Sequence, residues 1–217
     1  MRRSKAIRLF DFSGGLNTFS PVTTLNLNEA IDLQNINLLP SGGFEKRRGN
    51  TAFNSSAMVS SSTAVSGLGY FRLASGSDFL MGVAGTKIFK ADDLDGTMDD
   101  GTGAVTITGG ANNVWTHSTM NNVSIFVGGA PNAPIQYSGS GNATVLAGSP
   151  PSGNFGISAN NRMFIGNTSA NPSRIAWSIL GNQADWSGSG SGTQDIAGND
   201  GDQLIGAAVL NTNHMLL

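Results

Sequence analysis

A pattern of short apolar strands and polar turns recurs along the chain from about residue 67 onward. In its first copy a strand-like stretch precedes Phe79-Leu-Met-Gly-Val83, and Thr86-Lys-Ile-Phe-Lys90 follows after a turn. Gly85 fits that turn, because glycine readily adopts the positive φ that tight hairpins require. Three further copies begin near residues 114, 155 and 204. The pattern therefore predicts a series of short antiparallel strands.

The copies follow one another at a loose period. Their second apolar strands begin near Phe79, Ser124, Met163 and His214, which gives spacings of 45, 39 and 51 residues. Such a period with several strands in each unit is typical of a β-propeller, in which small sheets stacked around an axis cover each other's faces. We expect an all-β fold with β-propeller-like repeats of short antiparallel strands. A β-sandwich with irregular loops is the alternative.

The first 53 residues follow a different pattern. Apolar residues are spaced through the segment 25–39, and Asn28 with Asp32 suits the start of a short helix. We predict a helix over residues 28–36, within an extended N-terminal arm, followed by a docking strand that begins at Phe44. The chain then divides into an arm with helix and docking strand, residues 1–53, and a propeller-like body, residues 54–217. The fourth copy is unfinished at Leu217, so we expect a partial propeller, truncated at the C-terminus.

Composition favours short strands and narrows the possible chemistry. The 217 residues include 30 Gly and no Cys, so disulfides and thiolate metal sites are excluded.

The net charge is −2, but it is uneven: the first 50 residues carry +3 and the remainder −5. A basic arm on a mildly acidic body suits docking onto another acidic subunit; a solvated basic tail is the alternative. No apolar stretch has the length of a signal peptide core or of a membrane span.

The candidate chemical groups form no recognisable catalytic motif. His117 and His214 lie in different copies of the repeat, and the acidic stretch from Asp92 to Asp100 lacks the ligand spacing of a calcium loop. The three tryptophans suit a sugar groove or the packing between sheets. We therefore predict no catalytic, cofactor-binding or metal-binding residues, no cofactor, and a protein that is not an enzyme.

The N-terminal segment resembles bacteriophage tail proteins of the tail tubular protein B or nozzle type. The resemblance rests on Phe12-Ser-Gly-Gly-Leu16, Pro21, Asn28-Glu-Ala30, Asn35 and Gly43-Phe-Glu-Lys-Arg-Arg-Gly49, and more loosely on residues 176–203. It implies a structural virion subunit of a tail nozzle or tail-tube ring, which is assembled in the host cytoplasm. Its expected partners are copies of itself and other tail proteins such as an adaptor or portal-proximal ring. DNA would pass through the channel without specific binding.

This implied assembly gives the arm a role in subunit docking. We expect its basic side chains to pair with carboxylates of a neighbour, and its phenylalanines to enter a neighbour's groove. The predicted interface residues are Arg2, Arg3, Lys5, Arg8, Phe10, Phe12, Phe19, Lys46, Arg47 and Arg48. A carbohydrate-binding module or a propeller glycosidase of a tail fibre or spike is the alternative function.

Overall fold

The computed structural model describes residues 12–39, 41–54, 64–92, 94–108, 113–129, 131–196, 201–211 and 214–216. These residues form strands and turns, with one 3-10 helix at Val22–Thr24 and no α-helix. The chain divides into two units, Met1–Ala52 and Phe53–Leu217. The predicted all-β class is therefore confirmed for the part of the chain that the structure describes.

The first unit contains two pairs of very short strands. β1 (Gly15–Leu16) lies parallel to β2 (Glu29–Ala30), and β3 (Ile36–Leu38) lies antiparallel to β4 (Phe44–Lys46). Strands of two or three residues contribute few ladder hydrogen bonds. The unit consequently depends on turns and side-chain contacts for its shape.

The predicted helix over residues 28–36 is wrong. Glu29 and Ala30 pair with β1, and Asn35 adopts a φ of +56°, which interrupts any helix there. Asn28, the expected helix cap, donates its side-chain amide to the Ser13 hydroxyl instead. A helix of this length is marginal unless its apolar face is buried, and Ile31 on that face is half exposed.

The described residues of the second unit form three four-stranded antiparallel sheets and a two-stranded hairpin. Strands adjacent in sequence are neighbours in each sheet. The first sheet contains β5 (Val65–Arg72), β6 (Asp78–Ala84), β7 (Lys87–Asp92) and β8 (Asp99–Asp100). The second contains β9 (Thr116–Met120), β10 (Val123–Val127), β11 (Ile135–Tyr137) and β12 (Thr144–Val145). The third contains β13 (Gly153–Ala159), β14 (Arg162–Thr168), β15 (Asn171–Trp177) and β16 (Gly192–Asp195), and the hairpin pairs β17 (Ala208–Asn211) with β18 (His214–Leu216).

Asparagine pairs form two of the hairpin turns. Asn121 and Asn122 connect β9 to β10 with φ values of +49° and +63°, and Asn160 and Asn161 connect β13 to β14 with +48° and +55°. Two consecutive positive φ values define the type I′ turn, whose twist matches that of the flanking strands. Asparagine tolerates this conformation better than other residues with a Cβ.

Hydrophobic side chains fill the spaces between successive sheets. Phe71, Phe79 and Met81 of the first sheet share a cluster with Phe126 and Tyr137 of the second. A second cluster joins the second and third sheets, and a third joins the third sheet to the segment that includes the hairpin. Each sheet therefore covers a face of the next one in sequence, and the predicted repeat of small antiparallel sheets is confirmed.

Glycines of β5 let the first two sheets approach closely. A Cβ added at Gly69 would lie 2.2 Å from Cγ of His117, and one at Gly67 would lie 2.5 Å from Cβ of Trp115. The intervening Thr116 faces the other way, since its hydroxyl oxygen accepts the Gly156 N–H of β13 at 2.8 Å. β9 therefore contacts β5 on one side and β13 on the other.

Candidate functional site

The predicted interface residues divide into those that the structure describes and those that it does not. Arg2, Arg3, Lys5, Arg8 and Phe10 lie outside the described residues. The remaining five belong to the first unit: Phe12, Phe19, Lys46, Arg47 and Arg48. The geometry of the site is therefore built from these five and their neighbours.

Phe12 is held by the loop before β4. Its N–H donates to the carbonyl of Gly42 at 2.8 Å, and its ring meets the Phe44 ring edge-on with centroids 5.0 Å apart. Such an edge-to-face contact orients both rings. Phe12 is half buried, while Phe44 remains exposed.

A turn centred on Asn17 presents Phe19 to solvent. The Asn17 side-chain oxygen accepts the N–H groups of Phe19 and Ser20 at 3.1 and 3.0 Å, and its amide donates to Glu29 at 3.1 Å. These contacts fix the backbone, yet the Phe19 side chain is 99% exposed. Hydrogen bonds from Asn17 and from the backbone of Asn26 lower the pKa of Glu29, so this carboxylate stays charged in the turn.

The basic triplet Lys46, Arg47 and Arg48 lies at and just after the end of β4, with all three side chains exposed. The Arg47 N–H donates to the carbonyl of Asn35 at 2.8 Å, which anchors the backbone beside β3. Among the described residues, the triplet forms no ion pair with a carboxylate. Within the described residues, no carboxylate therefore neutralises these three charges.

The described part of the first unit buries no hydrophobic side chain, although it contains several large ones. A segment that leaves its apolar residues in water gains little hydrophobic free energy to offset the backbone entropy that it loses on ordering. Clustered exposed apolar residues are also a mark of interaction surfaces. The large exposed hydrophobic residues here are Leu16, Phe19, Val22, Leu27, Ile31, Leu38, Leu39 and Phe44.

The groups that suggested chemistry have structural roles where they are described. The His117 ring is tilted by 48° against the Phe126 ring with centroids 4.9 Å apart, its Nε2 lies 3.0 Å from the hydroxyl oxygen of the buried Ser124, and burial lowers its pKa. Asp92 pairs with Lys90, and Asp100 pairs with Lys87, whose hydrogen bond lowers the pKa of Asp100 to about 2. No group of three or more metal-ligating side chains converges within the described ranges.

The tryptophans occupy the spaces between sheets. Trp115 is buried in the first cluster, Trp186 packs against the second, and Trp177 packs against the third. Each ring already serves packing between sheets. The sugar groove considered from the sequence therefore gains no support from their positions.

Sequence reasoning missed the asparagines that join neighbouring sheets. Asn122 accepts a hydrogen bond from Ala74 beyond β5, Asn121 donates to Gly181 in the loop after β15, and Asn167 of the third sheet donates to the Leu204 carbonyl in the segment before the hairpin. The sequence does contain Asn-Asn pairs between apolar strands. Such a pair predicts a hairpin turn, but it does not predict which residue the asparagine side chain contacts outside its own sheet.

No protein-family model, curated protein or solved structure matches this chain. Within the described residues, no helix has the length and hydrophobicity needed to cross a membrane.

Proposed function

We propose that this chain is a structural subunit of a bacteriophage tail, in a nozzle or tail-tube ring that surrounds the DNA channel. The observation that carries the proposal is the first unit, whose described residues include exposed apolar side chains and a basic triplet that forms no ion pair with a described carboxylate. A neighbouring copy covers the apolar residues and supplies carboxylates to Lys46, Arg47 and Arg48. Assembly takes place in the host cytoplasm, and the finished location is the virion tail.

Contacts within the first unit support the resemblance on which this proposal draws. The residues that carry the resemblance meet one another in pairs: Phe12 packs on Phe44, and the Arg47 N–H reaches the Asn35 carbonyl. A Cβ at Gly14 would lie 2.6 Å from the Glu29 side chain, so glycine is needed where β1 approaches β2. These residues therefore contact one another in pairs within the first unit, which is what a docking module requires.

The second unit is the propeller-like body of the proposed subunit. Radial stacking of sheets around an axis requires successive four-stranded meanders whose first strands lie side by side. The sequence beyond residue 50 carries a charge of −5, which complements the basic first 50 residues of a neighbour. The same mild negative charge suits a channel through which DNA passes without specific binding, since strong phosphate contacts would slow its transit.

Charge reversal of the basic triplet tests the docking role. Arg47→Glu with Arg48→Glu should abolish ring formation by the full chain in negative-stain electron microscopy, whereas Arg47→Lys with Arg48→Lys should retain most of it. Both variants leave the described backbone contacts intact, because those use main-chain atoms. Normal rings from the glutamate variant would contradict the proposal.

A further inference from the structure

The same tripeptide occurs twice where the chain passes from β7 to β8 and beyond. Asp95-Gly96-Thr97 and Asp100-Gly101-Thr102 have identical sequences. In each of them a side-chain oxygen of the aspartate accepts the N–H of the threonine, at 2.9 Å in the first and 3.0 Å in the second. Aspartate commonly forms such a local turn with the residue two positions on. The two tripeptides therefore share sequence and turn, and they differ in how the rest of the first sheet holds them.

An Asp-Gly step can rearrange through a cyclic succinimide. The glycine nitrogen attacks Cγ of a protonated aspartate side chain, and the new N–Cγ bond closes a five-membered ring. The amide proton and the carboxyl hydroxyl leave together as water. Water then opens the ring at either carbonyl, which returns aspartate or leaves isoaspartate, so no other reactant is consumed. Glycine favours the reaction because it has no Cβ to obstruct the closing ring.

The first sheet protects the second tripeptide at both reacting groups. The N–H of Gly101 donates to the Ile88 carbonyl of β7 at 2.9 Å, so the nitrogen that would attack is held by the neighbouring strand. Asp100 pairs with Lys87, and the hydrogen bond from Lys87 lowers the pKa of Asp100 to about 2. An ionised carboxylate has no hydroxyl to lose. Ring closure at Asp100 therefore requires both the strand pairing and the ion pair to open.

The first tripeptide lies between β7 and β8 and belongs to neither strand. Gly96 sits in a bend with a φ of +85°, and among the described residues its N–H has no acceptor. Asp95 is exposed, so the water that opens the ring can reach it. Asp95 also takes part in none of the ion pairs found in the described part of the chain. Neither protection seen at Asp100 is therefore found here.

We infer that Asp95 is a modification site, at which the folded chain converts spontaneously to isoaspartate, and that the fold protects Asp100 from the same reaction. In the product the Cβ of Asp95 becomes part of the main chain and the α-carboxylate becomes the side group. That carboxylate is the group to which an isoaspartate methyltransferase transfers a methyl from S-adenosylmethionine. The inference is independent of the proposed role in a tail.

The modified residue would lie close to a packing contact of the first sheet. Met98 follows the first tripeptide directly, and its Cε lies 3.7 Å from where a Gly82 Cβ would be. The Met98 N–H also donates to the Asn54 side chain at 3.4 Å. Isoaspartate adds one carbon atom to the main chain just before these contacts, so the segment that covers Gly82 has to readjust.

Ageing of the full chain tests the inference. The protein is kept folded at 37 °C and pH 6 for several weeks, and samples are mapped by electron-transfer fragmentation, which distinguishes isoaspartate from aspartate. Isoaspartate should form at Asp95 at least about fivefold faster than at Asp100, the factor that corresponds to one hydrogen bond of ordinary net strength. Methyl transfer from labelled S-adenosylmethionine should increase at the Asp95 peptide in parallel. Equal rates at the two sites, or faster reaction at Asp100, would overturn the inference.

Two controls separate the effect of the fold from that of the sequence. In guanidinium chloride the two identical tripeptides should react at similar rates, because strand pairing and the ion pair are then lost. A difference in denaturant as large as that in the folded chain would assign the selectivity to flanking residues and contradict the inference. Asp95→Glu keeps the charge but requires a six-membered ring, which forms far more slowly. The variant should lose the signal at position 95 and keep the slow rate at Asp100, with an unchanged circular dichroism spectrum.

Discussion

The side-chain oxygen of Asn122, in the turn between β9 and β10, accepts a 2.6 Å hydrogen bond from the backbone N–H of Ala74 beyond the end of β5. The adjacent Asn121 donates its amide to the Gly181 carbonyl and to the Gln183 side chain, both at 2.7 Å. Those two acceptors belong to the loop after β15. A single turn of the second sheet thus links it to the first and the third sheets.

Two substitutions at Asn122 separate the link between sheets from the turn itself. Asn122→Gly keeps the positive φ and removes the amide, so it should lower the free energy of unfolding by about 1 kcal/mol. Asn122→Ala also places alanine, which is poorly suited to a positive φ, in the turn. It should therefore lower the free energy of unfolding by about 1 kcal/mol more than Asn122→Gly does. Urea unfolding measures both values. Equal stability of the two variants would contradict the assigned role of the turn.

Gly69→Ala tests how closely the first two sheets approach. The new Cβ would overlap the His117 ring, so we expect a loss of about 1–3 kcal/mol, the usual range for overpacking. Gly206→Ala is the control, because a Cβ there meets nothing within 4 Å. Thermal unfolding should show a lower midpoint for the first variant and little change for the second; similar midpoints would mean that the sheets separate at little cost.

His117 should make stability depend on pH. Burial lowers its pKa in the folded chain below the value of about 6.5 expected when unfolded, so its neutral form is the one that fits between the sheets. The contribution of His117 to stability is complete when the pH lies above its pKa in the unfolded chain. This contribution is lost as the pH falls through its pKa in the folded chain. The free energy of unfolding should therefore decrease between pH 7.5 and 5.5, and His117→Gln should flatten that dependence. An unchanged slope in the variant would assign the effect to another group.

The N-terminal arm should gain protection on assembly. Amides of residues 12–20 sit in a unit with almost no buried apolar area, so in the single subunit they should exchange with solvent within seconds. In the ring, contacts made by Phe19 and its neighbours should slow that exchange. Hydrogen exchange with mass detection compares the two states. Equal protection in both would mean that the arm gains no cover from a neighbour.

The strands of the second unit could be predicted because their signals are local. The second strands of the four copies were placed near Phe79, Ser124, Met163 and His214, and β6, β10, β14 and β18 begin at or one residue before these positions. Apolar runs bounded by Gly or Asn-Asn turns are sufficient for that prediction. Gly85, chosen for a positive φ, has a φ of +59°.

The helix prediction failed because the residues that suggest a helix are neighbours in sequence, whereas the strand pairing that forms instead joins residues distant in sequence. Asn28 and Asp32 resemble a helix start, yet Glu29 and Ala30 pair with Gly15 and Leu16, more than ten residues away. The links made by Asn121 and Asn122 were missed for the same reason. Their hydrogen-bond partners lie 48 to 62 residues away, and only the stacking of sheets brings them together.

The serial covering of one sheet by the next has a mechanical consequence. Since each sheet is held mainly by its sequence neighbours, tension applied to the two ends of the second unit should peel the sheets away one at a time. β5 and β9 begin 51 residues apart, and β9 and β13 begin 37 residues apart. Release of the first sheet should therefore lengthen the chain by up to roughly 170–180 Å, and release of the second by roughly 120–130 Å, at about 3.3–3.6 Å per residue. A pulling trace of this protein should accordingly be a sawtooth, with the spacing of its teeth set by the sequence repeat.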